Sequence, residues 1–295
     1  MSFELVVELT GGDMAQKKFH DLNLASAFLF AAVMSSAEIC RLVLQILLGK
    51  PVGSVTVNAE QFLMFSSDCR SIRLDIYAGD AAGNHYNVEM QGENEGNLPQ
   101  RSRFHQAEMD VLELEPGEDF RMLEPNYVIF ICCFDPFGKG LFRYTFTNCC
   151  EEVEMRLGDG TMKVFLNTKG RNREAVSEEL VNFLKYVENT TDECVEELKD
   201  ENIRRIHGYV KAIKSSREWR RKYMRFEELL QKEHREGRNE GYESGRADGV
   251  LEGREVGEGR MHELVSKMFE AGEGDKIHLL SDKVFLQEMY LKYQI

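Results

Sequence analysis

The sequence has no apolar run of about 18 residues, the length that a helix needs to cross the hydrocarbon core of a membrane. Its first residues, MSFELVVELTGGD, place acidic side chains inside a short apolar stretch and carry no basic leader, which is not typical of a signal peptide. We therefore expect a protein that uses no membrane and remains in the cytoplasm.

Several common catalytic motifs are also missing. The chain has no P-loop, no GxGxxG ahead of a helix, no GxSxG and no HExxH. The sequence therefore does not predict the nucleotide, serine hydrolase or zinc protease sites that these motifs build.

The seven cysteines follow no metal-binding spacing. Their number is odd, none occurs as CxxC, and four of them form two adjacent pairs, at 132–133 and 149–150. Because structural zinc sites need ligand pairs two to four residues apart, we expect free thiols in a reducing compartment instead.

Negative charge predominates, with a formal net charge of −14 and a pI of about 5.1, which argues against nucleic acid as a partner. Between Asp200 and Arg238, however, 12 Lys and Arg stand against 7 Asp and Glu, a local excess of five positive charges. Within it, the stretch 214–225 holds six basic residues and one acidic residue, interleaved with Trp219 and Tyr223. Two interpretations stay open: contact with DNA phosphates, or a solvated helix face whose aromatic side chains turn inward.

Hydrophobic periodicity predicts an α/β core. A helix is expected over 21–49, capped by Asp21 or Asn23, broken near Ser35-Ser36 and ended by Gly49. Alternating or continuous apolar runs predict strands at 55–57, 71–77, 85–91, 128–134, 142–146 and 162–167, with a helix over 101–114.

The last third of the chain changes to a helical pattern. One helix is predicted to begin at Ser177, and a long amphipathic helix follows from about Thr191, with an apolar seam as far as Leu230. Glycine then recurs at every fourth residue from Gly237 to Gly257. Either a flexible charged linker or a helix with a stripe of small residues explains this repeat.

These patterns predict four regions. They are a core over 1–175, a helical extension over 176–236, a glycine-rich charged repeat over 237–258 and a small helical tail over 259–295. The C-terminal helices are candidates for homo-oligomer formation.

The most informative feature is the predicted hairpin. Asp75 and Glu89 are 14 residues apart on two strands joined by the turn 78–84, and Gln91 shares the strand face of Glu89. Two carboxylates and an amide oxygen on one face suit Mg²⁺ or Mn²⁺, which prefer oxygen ligands and assist phosphodiester hydrolysis. The alternative is a solvated hairpin face, where these side chains are common. His105, on the following helix, has two interpretations: a residue that reaches the active-site cleft, or, more commonly, a partly buried polar side chain.

Several stretches resemble one protein family. They are LNLASAFLFAAVM (22–34), RLDIYAGDAAGNHYNVEMQ (73–91), LPQRSRFHQAEMD (98–110), YVIFICCFDPFGKGLFRYTF (127–146) and GDGTMKVFLNTKG (158–170). In content and order they are similar to the PD-(D/E)XK nuclease family transposases, also called the recombination-promoting nuclease group. The resemblance covers about half of the chain, and the C-terminal glycine repeat is similar to tails in that group.

The resemblance implies a restriction-endonuclease-like α/β fold, a mixed sheet flanked by helices, with a helical C-terminal extension. It implies Asp75, Glu89 and Gln91 as the catalytic residues, with Asp75 and Glu89 as metal ligands and Gln91 in the position of the superfamily's lysine. Arg101 and Arg103 would offer positive charge to a DNA phosphate. The alternative for these two is that they are surface arginines beside an amphipathic helix.

The sequence departs from the family pattern in two places. Glutamine stands at 91, and the opening helix lacks an acidic residue, with Asp21 and Glu38 as the nearest ones. One hypothesis is therefore a Mg²⁺- or Mn²⁺-dependent DNA endonuclease of a mobile-element or recombination-promoting type. The second is a degenerate nuclease fold that binds DNA or protein without cleavage, and the third is a scaffold that self-associates through its long helix and tail.

Overall fold

The structure, a computed structural model, describes residues 18–57, 64–65, 72–73 and 76–295. Contacts within the chain group the described residues into two compact units, which divide between Glu227 and Glu228.

The secondary structure of the described residues mixes short strands with longer helices. The strands are β1 (Val55–Val57), β2 (Met64–Phe65), β3 (Ile72–Arg73), β4 (Ile76–Asp80), β5 (His85–Gln91), β6 (Asn126–Cys132), β7 (Arg143–Phe146), β8 (Cys149–Cys150), β9 (Met155–Arg156) and β10 (Thr161–Asn167). The α-helices are α1 (Ala27–Met34), α2 (Ala37–Leu48), α3 (Leu98–Glu113), α4 (Glu178–Glu188), α5 (Asp192–Leu198), α6 (Glu201–Ser215), α7 (Arg217–Glu270) and α8 (Lys283–Tyr293).

Six of these strands form one mixed sheet in the order β1-β4-β5-β6-β10-β7. The central strands β5, β6 and β10 are parallel, whereas the outer pairs β1–β4, β4–β5 and β10–β7 are antiparallel. Every residue of β6 is buried, as expected for a parallel strand that helices cover on both faces. The predicted strand at 128–134 is thus confirmed, shifted two residues toward the N-terminus.

Helices cover both faces of the sheet. The helix α3 packs on one face through a cluster of buried residues: Leu98, Met109, Val128, Phe130, Cys132, Tyr144 and Phe165. Arg143 precedes Tyr144 in β7 and so points to the opposite face, where its Nη2 donates a hydrogen bond to the carbonyl oxygen of Leu47 in α2. The predicted architecture, a mixed sheet flanked by helices with a helical C-terminal extension, is confirmed.

The opening helix differs from its prediction at its start. It begins at Ala27, after an extended Ser26, so neither Asp21 nor Asn23 caps it. Asp21 instead ends a short 3-10 turn. The predicted break is confirmed, because Ser36 has an extended backbone and its hydroxyl accepts a hydrogen bond from the amide of Ile39, which starts α2. Gly49 ends α2 at a φ of +65°, a left-handed conformation that glycine adopts without strain.

A hairpin is confirmed between β4 and β5, with a shorter turn than predicted. Its first strand differs from the predicted strand at 71–77, because Ile72–Arg73 pairs with β2 in a separate sheet and β4 begins only at Ile76. Residues 71, 74 and 75 of that prediction lie outside the described residues. β4 continues to Asp80, whose carboxylate accepts hydrogen bonds from the amides of Ala82 and Asn84 and so closes the turn locally. The next helix also begins earlier than predicted, at Leu98, because Pro99 is favourable in a first helical turn.

The single long helix predicted from Thr191 is wrong, because two residues interrupt it. Lys199 adopts a left-handed conformation (φ 52°) and ends α5, after which Asp200 caps α6. Ser216 is extended and separates α6 from α7. Sequence periodicity continues across both breaks because all three helices turn apolar residues inward.

The glycine repeat lies inside α7, so the helix interpretation holds for it in this structure. Residues 231–260 are all exposed, and a Cβ added to any of its glycines would meet no atom within 4 Å. In the second unit, Leu264, Met268 and Leu280 form a small buried cluster with partly buried side chains of α8 such as Phe285 and Met289.

Within the described residues, no single helix is long and apolar enough to cross a membrane. The pair α1 and α2, bent by 111° at their junction, meets the requirement of length and composition only when both are taken together. Nearly all apolar side chains of this pair are buried in the protein.

Candidate active site

The strand β5 carries the polar side chains of the predicted site, and it is buried on both faces. Val88 and Met90 point to one face, and Asn87, Glu89 and Gln91 to the other. These three polar residues are only 6%, 8% and 8% exposed. The alternative of a solvated hairpin face is therefore wrong for β5. Burying a carboxylate costs free energy unless it is paired, so its partners matter.

Glu89 has partners from its own strand and from α3. Its Oε1 accepts a hydrogen bond of 2.7 Å from Nε2 of Gln91 and another from Nη2 of Arg101. The strand thus places Gln91 beside Glu89 as the sequence predicted, and the helix adds a counter-charge.

Arg101 connects the two predicted residues of β5. Its Nη1 donates a hydrogen bond of 3.1 Å to Oε1 of Gln91 and lies 3.7 Å from Oε2 of Glu95. The guanidinium also lies over the ring of Phe130, 5.8 Å from its centre. Arg101 therefore belongs to the group of contacts around Glu89 and is not a solvated surface arginine. Arg103, two residues further along α3, is exposed and lies outside this group of contacts.

His105 joins this group of contacts, as one of the two interpretations from the sequence anticipated. It lies one helical turn after Arg101, is 7% exposed, and its Nε2 is 3.3 Å from Oε2 of Glu89. Its Nδ1 is 3.3 Å from Oε2 of Glu108. The spacing of Arg101 and His105, four residues apart on one helix face, was the available signal.

One oxygen at this site is left available. Oε2 of Glu89 is buried and accepts no hydrogen bond among the described residues, and Nε2 of His105 lies 3.3 Å from it. Because buried polar atoms are nearly always satisfied, such an acceptor is a candidate ligand for a cation. The described residues contain no group of three His, Cys, Asp or Glu that could hold a metal ion by themselves.

Asp75, the other predicted metal ligand, lies outside the described residues. The described pairing of β4 with β5 ends where Ile76 pairs with Val88, one residue short of Asp75 and of Glu89.

The opening helix offers no acidic side chain to the site. α1 has the sequence AFLFAAVM, and the nearest candidates are both at the surface. Asp21 is exposed, and Glu38 forms an exposed ion pair of 2.6 Å with Arg205 of α6. Neither residue belongs to the group around Glu89.

A second polar network lies under α3, away from Glu89. Lys163 Nζ donates to Oε1 of Gln106 at 2.6 Å, and Gln106 in turn donates to Asn126. Asn126 donates to Asp110 at 2.6 Å. Burial lowers the pKa of Lys163 and raises that of Asp110, because it disfavours both charged forms. Hydrophobic periodicity could not predict this packing of α3 on β6 and β10, since the buried face of α3 is largely polar.

The loop after β6 is organised by Asp135. Its Oδ1 accepts from the hydroxyl of Tyr144 at 2.6 Å and from the amides of Phe137 and Gly138, and its Oδ2 accepts from the amide of Gly140 at 2.7 Å. Burial alone would raise the pKa of Asp135, but these hydrogen bonds outweigh it and lower that pKa. Asp135 therefore holds a loop together.

Comparison with known protein families gives a match. A family model described as PD-(D/E)XK nuclease family transposase matches residues 29–235, a range that includes β5, α3 and Asp75. No curated protein and no solved structure gives a significant match to the chain.

Proposed function

Because this chain belongs to the PD-(D/E)XK nuclease family transposases, we propose that it is a metal-dependent endonuclease that hydrolyses DNA phosphodiesters. The observation that carries the proposal is the buried carboxylate of Glu89, which has one oxygen that accepts no hydrogen bond among the described residues and lies beside Gln91, Arg101 and His105. A structural carboxylate at this position would be expected to have both oxygens satisfied.

The donor set fits a divalent ion such as Mg²⁺ or Mn²⁺. Glu89 would hold it through the available Oε2, and Asp75 would supply the second carboxylate. This requires the pairing of β4 with β5 to extend by one residue pair beyond Ile76 and Val88. A bound ion supplies Lewis-acid stabilisation of the negative charge that develops on the phosphodiester.

The other side chains around Glu89 have separate roles in the proposed reaction. Gln91 would orient the attacking water through its amide group, and Arg101 would contact the phosphate, because a guanidinium binds phosphate oxygens with two parallel hydrogen bonds. His105 would position the carboxylate of Glu89, which it approaches from α3. This set provides hydrolysis and does not by itself provide strand joining.

Nicking of a supercoiled plasmid tests the proposal. Wild-type protein is expected to nick it with Mg²⁺ or Mn²⁺ and not with EDTA, whereas Asp75→Ala and Glu89→Gln should lose activity by at least about 10- to 100-fold. Glu93→Gln is the matched control, because Glu93 is an exposed carboxylate four residues beyond Glu89. Metal-dependent nicking that survives in both site variants would refute the assignment of this site.

A second candidate function is binding without cleavage. It is favoured by the absence of an acidic residue in α1 and by the ion pair that already neutralises Glu89. Wild-type protein that binds DNA but never nicks it, with either metal, would establish this alternative.

Association between copies is also part of the proposal, through the C-terminal helices. The exposed residues 231–260 of α7 offer a surface for a second copy of the chain. Measuring the mass of the full-length protein in solution tests this association, because a mass above that of one chain is expected.

A further inference from the structure

The first turns of α7 present an unusual charge distribution. Four arginines, Arg217, Arg220, Arg221 and Arg225, are all exposed and are called here the arginine stripe. On a helix with about 3.6 residues per turn, they fall within an arc of about 140° and extend over about 12 Å.

The opposite side of this helix is anchored in the protein. Tyr223 and Phe226 are buried, with the ring of Tyr223 stacked 5.4 Å from that of Phe19 and the ring of Phe226 5.2 Å from that of Phe28. The aromatic residues therefore turn inward and hold the arginine stripe outward in a fixed orientation.

The arginine stripe differs from the other surface cations nearby in forming no ion pair at contact distance. Among the described residues, no guanidinium of the stripe forms a salt bridge or hydrogen bond, and Glu218, which pairs with Lys222, interacts only electrostatically with Arg221. In contrast, four neighbouring cations are paired with carboxylates: Lys185 with Glu197, Arg204 with Glu201, Arg205 with Glu38 and Lys211 with Asp192. In a chain of net charge −14, four exposed arginines outside any salt bridge on one helix face are a strong local exception.

We propose that the arginine stripe binds the phosphate backbone of a nucleic acid duplex, as an anchor separate from the site around Glu89. All four cations are arginine, whose planar guanidinium grips phosphate with paired hydrogen bonds, whereas a merely solubilising surface would equally use lysine. The overall negative charge repels DNA elsewhere, so the stripe confines the contact to one face. The inference rests on the proposed function, because it names where that activity's substrate is held.

Binding of a labelled DNA duplex in EDTA, followed by fluorescence anisotropy at several salt concentrations, tests the inference without cleavage. Each phosphate contact contributes about 0.9 to the slope of log affinity against log salt. The variant R217Q/R220Q/R221Q/R225Q should therefore lower the magnitude of that slope by about 3 to 4 and weaken binding at low salt by at least about tenfold. The variant with lysine at all four positions should keep most of the slope.

The matched control is K185Q/R204Q/R205Q/K211Q, which removes the same charge from cations that are already paired. Its slope should stay close to that of the wild type. An equal loss in the control, or an unchanged slope in the stripe variant, would overturn the inference and leave the nuclease proposal untouched. If the fourfold glutamine variant fails to fold, the double variants R217Q/R221Q and R220Q/R225Q replace it. Each should lower the magnitude of the salt slope by about half as much as the fourfold variant.

Two other outcomes also count against the inference. Wild-type protein that does not bind duplex DNA would overturn it, as would binding to anionic lipid vesicles in preference to DNA. Nicking activity decides the nuclease proposal separately, since it is measured with metal and with the variants of Asp75 and Glu89.

Discussion

Arg101 donates a hydrogen bond of 3.1 Å from Nη1 to the amide oxygen of Gln91. The contact joins Gln91, which the family resemblance places at the position of the superfamily's lysine, to a cation from another element. A glutamine cannot supply positive charge, but the guanidinium beside it can.

This contact predicts that a lysine at position 91 can replace the charge of Arg101. Arg101→Ala should lower the nicking rate by about 10²- to 10³-fold, the usual cost of one lost electrostatic contact to a transition state. Adding Gln91→Lys to that variant should recover at least about tenfold, because the ammonium would lie beside Glu89. Single-turnover rates at saturating DNA measure this.

Arg103→Ala is the control for the loss of one arginine from α3, because Arg103 is exposed and outside the site. Its rate should stay within a few-fold of the wild type. A double variant no faster than Arg101→Ala alone would contradict the charge replacement.

His105 is expected to matter for ion affinity more than for folding. Residues that orient a metal ligand typically contribute 10- to 100-fold in affinity, so His105→Ala should weaken Mn²⁺ binding by that order. His105→Gln should recover part of it, because the glutamine side chain can occupy the same space beside Oε2 of Glu89. Titration calorimetry with Mn²⁺ gives the affinities. His234→Ala, at an exposed position of α7, is the control, and unchanged Mn²⁺ affinity in His105→Ala would exclude a positioning role.

Asp135 should make stability depend on acid pH. Its pKa is lowered in the folded protein, so its contribution is present above the unfolded value of about 3.9 and is lost as pH falls through the folded pKa. In Asp135→Asn, the side-chain NH₂ group must face a hydrogen-bond donor, either the amide of Gly140 or the donors to the other oxygen, and it cannot accept from them. The substitution should therefore lower the free energy of unfolding by about 1–3 kcal/mol at neutral pH. Urea unfolding should show that this difference shrinks below about pH 4.

Asp248→Asn is the corresponding control for the removal of one carboxylate, because Asp248 is exposed. It should change stability by less than about 0.5 kcal/mol. A constant difference for Asp135→Asn from neutral pH to below pH 3 would show that the carboxylate charge is not the cause.

The glycines of α7 should be replaceable if no second helix packs on them. Gly241→Ala, Gly245→Ala and Gly249→Ala should each stabilise the helix by about 1 kcal/mol, because no atom lies within 4 Å of an added Cβ. Thermal melting followed by circular dichroism measures the gain. If copies of the chain pack along these glycines, the triple variant should instead form a smaller assembly in solution than the wild type. That result would place the glycines at the interface between copies.

The main layers of the fold were predictable because the hydrophobic periodicity of a strand or helix is visible within its own short stretch of sequence. The continuous apolar run around Val128–Cys132 and the alternation of His85–Gln91 identified two central strands. The breaks at Lys199 and Ser216 were not predictable, since neither residue type is a typical helix terminator and only their backbone geometry ends the helices.

The candidate site was predictable in part for the same reason. Gln91 and Glu89 share a face because a strand alternates, which a sequence reveals directly. The approach of Arg101 and His105 depends on how α3 packs on the sheet, which is tertiary information. The burial of Glu89 likewise depends on the helix that covers it.

The ion pair of Glu89 with Arg101 has a consequence for the order of events during maturation of the protein. Small domains whose metal site does not form without the ion are unfolded in its absence, and chelators denature them. Here a cation from α3 already neutralises the buried carboxylate. The protein should therefore fold without an ion, and under the proposed function a chelator should stop cleavage while the protein stays folded.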